Sequence, residues 1–79
     1  MDDKIYNAVM SGKSDNSINF ADFQSLIIDL GFIFRRQNGS HMIYSNNNIN
    51  EYMNIQDKGG KAKDYQVKQL RKIIKRHGL

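Results

Sequence analysis

Asn38-Gly39 lies between two short runs rich in strand-forming residues, and no other feature limits the possible folds of this chain as strongly. The dipeptide is favoured in type I′ hairpin turns because both central residues must take positive φ, which asparagine and glycine tolerate. It predicts an antiparallel hairpin between Phe32 to Gln37 and His41 to Ser45. With Asn38 and Gly39 as the two loop residues, Gln37 pairs with Ser40, Arg36 with His41 and Phe34 with Ile43. Strand alternation then puts Phe32, Phe34 and Ile43 on the face that helices cover, with His41 at the rim of the core opposite Arg36.

The remaining segments supply those helices. Ile5, Tyr6, Val9 and Met10 recur at helical spacing between Asp3 and Met10, and Gly12 follows as a stop. Asn19 can cap a second helix whose apolar positions Phe20, Phe23, Ile27 and Leu30 repeat with a period near 3.6, ended by Gly31. Asn46-Asn47-Asn48 marks the turn into a third strand, Ile49 to Gln56, and Asp57-Lys58-Gly59-Gly60 reads as a flexible basic loop. Val67, Leu70, Ile73 and Ile74 form the apolar stripe of a final helix closed by Gly78. The expected order is α-α-β-β-β-α, an α+β fold with a three-stranded antiparallel sheet and helices packed on one face.

Seventy-nine residues make a single domain, 1–79, too small for a deep cofactor pocket, and no cofactor is expected. The chain has no cysteine, which removes disulfide and thiolate chemistry and fits a reducing compartment. No apolar run approaches the ~18 residues of a membrane span, and Asp2 and Asp3 stand where a targeting leader would be basic, so a soluble cytoplasmic protein is expected, without membrane contact. The net charge of +4 is concentrated beyond Lys58, as suits a polyanion such as nucleic acid or an acidic protein partner.

His41 is the chemically pointed residue. An imidazole fixed by a hairpin beside a cation can move a proton at a phosphate. Arg36, Ser40, Lys61, Lys63 and Lys68 are the candidate contacts to RNA or phosphate, although Lys68, Lys72, Lys75 and Arg76 read first as a solvated helix face. Gly59-Gly60-Lys61-Ala62-Lys63 precedes a helix N-terminus without the Gly-Lys-Ser/Thr ending of a P-loop. His77, four positions after Ile73, reads as structural at a helix C-terminus. The two histidines lack ligand spacing and the carboxylates are scattered, so no metal site is expected.

Leu30-Gly31-Phe32, Arg36, Gly39-Ser40-His41, Asn54-Ile55-Gln56, Gly59-Gly60-Lys61-Ala62-Lys63 and Tyr65-Gln66-Val67-Lys68-Gln69 occur in one order around this pattern of helices and strands. Together they resemble the HicA family of toxin mRNA interferases, over roughly Phe20 to Leu79. Asp64 stands where many relatives have proline, and both residues suit a helix start. The resemblance implies a fold like the double-stranded RNA-binding domain, an endoribonuclease acting on mRNA, and neutralisation by a HicB-type antitoxin. It places the catalytic histidine on His41, with 19–79 as the family core and 1–12 as an accessory helix. A second acid or base is left open among Tyr44, Tyr65, a lysine and water. The alternative is a non-catalytic module of the same fold that binds RNA or the antitoxin.

Overall fold

The computed structural model describes all residues, 1–79, in the order α1 (Asp3–Ser11), α2 (Phe20–Asp29), β1 (Ile33–Asn38), β2 (His41–Asn46), β3 (Glu51–Lys58), β4 (Lys61–Ala62) and α3 (Asp64–His77). The sheet is antiparallel with strand order β1-β2-β3-β4, one strand more than expected. The additional strand is the segment read as a flexible loop. Gly59 and Gly60 both take positive φ and close a two-residue hairpin in which Lys58 pairs with Lys61. Ala62 N–H donates to the Ile18 carbonyl and Phe20 N–H to the Gly60 carbonyl, so the short strand is held on its other edge as well.

Each helix begins and ends for a local reason. The Asp2 and Asn19 side chains accept from the amides of Lys4 and Asp22, capping α1 and α2. Gly12 and Gly78 close α1 and α3 in the left-handed conformation. Past the end of α2, Gly31 has φ +100°, and a Cβ there would lie 3.0 Å from Asn46 Nδ2. That nitrogen donates to the Leu30 carbonyl, and Asn46 Oδ1 accepts from the Asn48 amide. One buried asparagine therefore joins the end of α2 to the β2–β3 turn. The turn is longer than expected, with Asn50 at φ 56° and β3 starting at Glu51.

The core lies between the helices and one face of the sheet, where Phe23, Ile27, Val67 and Leu70 meet Tyr44, Met53 and Ile55. Val9 of α1 is fully buried in the same cluster. Two ion-pair groups secure the periphery. Arg71 grips Asp15 through both guanidinium nitrogens at 2.9 and 3.0 Å and donates to the Val9 carbonyl at 2.8 Å, tying α3 to the connector and to α1. The hydrogen bond from Arg71 lowers the Asp15 pKa and raises that of Arg71. At the other end of α3, His77 and Arg76 both reach Glu51 Oε2, at 2.8 and 2.6 Å. The hydrogen bond from His77, followed by that from Arg76, lowers the Glu51 pKa. His77 thus clips the end of α3 to the start of β3.

Candidate functional site

The β1–β2 turn sits one residue later than expected, so that the partners of Gln37 and Arg36 move by two residues and that of Phe34 by one. Asn38 pairs with His41, Gln37 with Met42 and Arg36 with Ile43, after which a bulge between Phe34 and Arg36 shifts the phase to Phe34 with Tyr44. The loop residues are Gly39 and Ser40 rather than Asn38 and Gly39. Gly39 has φ +60° and Ser40 is not among the positive-φ residues, the pattern of a type II′ turn with glycine first. The physical reason is the inside of the sheet. Met42, Tyr44 and Asn46 turn toward the helices, where Gln24 Nε2 donates to the Tyr44 hydroxyl at 2.6 Å. The outward set is then His41, Ile43 and Ser45.

His41 is consequently on the helix-free face, not at the core rim, and Arg36 is its diagonal neighbour rather than its direct partner. Phe34 is half exposed, because β1 is an edge strand that the helices do not cover. Tyr44 is 1% exposed on the opposite side of the sheet, which removes it as a proton-transfer partner for His41.

Three rows of side chains cross the open face: Asn38, His41 and Gln56; Arg36, Ile43 and Asn54; Ile33, Ser45 and Tyr52. His41 Nδ1 lies 2.9 Å from Asn54 Oδ1. An amide oxygen only accepts, so this contact assigns the proton to Nδ1 and leaves Nε2 with the lone pair in the neutral ring. Next to it, Gln56 Nε2 donates to Ser40 Oγ at 3.1 Å, which keeps the serine hydroxyl proton available to a further acceptor. In the third row, Arg35, the bulged residue, donates through Nε to Ser45 Oγ at 2.6 Å. Asn54 and Gln56 were not singled out as site residues. Their signal was present in the Asn54-Ile55-Gln56 alternation, where both polar residues share the face opposite buried Ile55.

The predicted lysines divide into two places. Lys61 and Lys63 line a concavity of about 660 Å³ where β3, β4 and the start of α3 converge. Gln56 lines it too, so the concavity adjoins the row of His41. Lys68 stands apart on α3, where its charge contributes to lowering the Asp15 pKa. The main chain beneath Gln56 is fixed from the helix side: its N–H donates at 3.0 Å to Oε1 of the buried Gln66, which replaces a strand partner where β4 stops.

Residues 20–79, more than half of the chain and all of this site, match the family described as the HicA toxin of bacterial toxin-antitoxin. The chain belongs to the HicA toxin family. It is therefore the toxin of a bacterial toxin-antitoxin pair, with an antitoxin as its partner. The matched HicA region begins at the first residue of α2 and leaves α1 outside. No curated protein and no solved structure matches the chain. No helix is long and apolar enough to cross a membrane.

Proposed function

We propose that this HicA toxin is a cytoplasmic endoribonuclease that cuts mRNA through His41, without a metal ion, and is neutralised by a HicB-type antitoxin. The observation that supports the reading most is the 2.9 Å contact between His41 Nδ1 and Asn54, which leaves the ring's Nε2 with the lone pair that a proton transfer needs. Cleavage by the RNA's own 2′-hydroxyl needs that proton removed, the phosphorane charge stabilised and the departing 5′-oxygen protonated. His41 Nε2 performs one of the two proton transfers, a contribution of roughly 10²- to 10⁴-fold in rate. Arg36, one row away, and the Ser40 hydroxyl stabilise the phosphate oxygens, while Lys61 and Lys63 hold the neighbouring backbone. The other proton passes through Tyr65, a lysine or water. We also read the architecture as a variant of the double-stranded RNA-binding-domain fold with one short strand added. Residues 19–79 then form the catalytic core, and the helix within 1–12 serves as an accessory contact surface.

The test is His41→Ala. RNA cleavage and growth arrest disappear, while the thermal transition and antitoxin binding stay as in the unmodified chain, and a chelator leaves cleavage by the latter unchanged. Equal cleavage by His41→Ala protein would overturn the assignment. An unmodified chain that binds RNA but never cuts it would instead identify a non-catalytic binding module.

A further inference from the structure

The concavity beside the His41 row has a composition that phosphate contact alone does not account for. Tyr65, the second residue of α3, lines it and is 55% exposed, although an aromatic of that size is ordinarily placed where it can bury area. Its hydroxyl accepts from Gln66 Nε2 at 3.3 Å, and Gln66 is itself buried and engaged with the Gln56 amide. The phenol is therefore tied to the same side chain that fixes the strand beneath Gln56. Lys63 Nζ stands 6.0 Å from the ring centroid, at the outer limit of a cation–π contact, so the ring and the ammonium lie side by side.

The charges around Tyr65 are arranged asymmetrically. Lys58, Lys61 and Lys63 line the concavity, and none of them belongs to an ion pair of the protein. The two carboxylates of the lining instead accept from main-chain amides, Asp57 from Gly60 and Asp64 from Tyr65, each at 2.7 Å. The ammonium groups are thus available to a ligand. A volume of about 660 Å³ lies within the ~300–1,000 Å³ of small-molecule sites and is ample for one nucleotide.

We infer that this concavity is a nucleotide subsite, in which one base of a single-stranded RNA stacks on Tyr65 while Lys61 and Lys63 hold its phosphate, directly adjoining the phosphate presented to His41. This rests on the ribonuclease reading for the word "adjoining", and it assigns the substrate class as unpaired RNA. Stacking needs a base whose face is free, which a duplex does not offer. Gln56 links the two positions, since it lines the concavity and shares a ladder position with His41. Occupation of the subsite therefore fixes which bond of the strand lies at the imidazole.

The experiment uses His41→Ala protein, which keeps the RNA intact, and short fluorescent single-stranded RNAs in which one nucleotide at a time is replaced by an abasic unit. Adding Tyr65→Ala weakens binding of the complete RNA about ten-fold or more, the usual size of a lost base stack, and Tyr65→Phe restores it. An abasic unit at one position makes the RNA insensitive to Tyr65→Ala. In the unmodified protein the cut falls at the bond next to that position. Unchanged affinity in Tyr65→Ala protein, or equal sensitivity at every abasic position, would overturn the subsite. If the unmodified chain does not cut but a single coupled position is found, the subsite stands and the ribonuclease reading falls.

Discussion

At Asn54 an amide oxygen accepts a hydrogen bond from His41 Nδ1–H at 2.9 Å, which holds the ring and leaves Nε2 with the lone pair. Orientation of this kind acts on the reacting geometry more than on substrate affinity, so the proposed mechanism makes Asn54 a positioning residue. Asn54→Ala lowers kcat about ten- to a hundred-fold while KM for RNA changes little. Asn54→Asp restores most of the loss, because a carboxylate also accepts from Nδ1. Steady-state kinetics on a short RNA checks both, and a rise in KM with unchanged kcat would assign Asn54 to binding instead. The neighbourhood was partly legible in the sequence: Gly39-Ser40-His41 singled out the imidazole, and the structure places Arg36 and Ser40 on or beside its face. Which residue touches which was not. The pairing of His41 with Gln56 and its bond to Asn54 depend on the β2–β3 register, and no local pattern encodes a partner 13 residues away.

Elements declare their ends more clearly than their phase. The caps Asn19, Gly12 and Gly78 act where their residue types predict, and α3 buries the expected stripe of Val67, Leu70, Ile73 and Ile74. The turn falls one residue later because Met42, Tyr44 and Asn46 take the inside of the sheet, and a bulge then adds one residue to β1, so that Phe34 and Arg36, two positions apart, face opposite sides against simple alternation. The strand β4 escaped notice because two residues carry no periodicity; its partners lie in Asp57 and Lys58 and in the segment before α2. At the junction of α2 and β1, Gly31 satisfies two demands at once, a positive φ and a close approach to Asn46. Gly31→Ala therefore destabilises the protein by about 1–3 kcal/mol, read as a lower denaturation midpoint in urea with an unchanged slope. An unaltered midpoint would mean that the α2–β1 junction relaxes freely.

Across the whole molecule, stability is linked to pH through two carboxylates that join distant parts of the chain. Asp15, gripped by Arg71, and Glu51, held by His77 and Arg76, both have folded pKa values below their ordinary ones of 3.8 and 4.5. Their stabilising effect is complete above those ordinary values and is lost as the pH falls through the lowered ones. The melting temperature accordingly holds near neutrality and drops in acid, and Asp15→Asn with Glu51→Gln flattens that acid limb. A double variant whose acid limb is as steep as that of the unmodified chain would assign the effect to other groups. Neither pair was visible in the sequence, since Asp15 and Arg71 are 56 positions apart and Glu51 and His77 are 26 apart. The same pairs, with the Tyr6 hydroxyl donating to the Leu79 carbonyl at 2.9 Å, hold α1 and the end of α3 to one body.

The bulge at Phe34 and Arg36 has an effect beyond register. As β1 forms an open margin of the sheet, a straight and apolar strand there would offer its unpaired amides and carbonyls to any extended chain. The extra residue bends that margin, and Arg35 and Arg36 put two positive charges along it. Copies of the toxin that accumulate at high concentration thus repel one another at the site where strand-by-strand aggregation would begin.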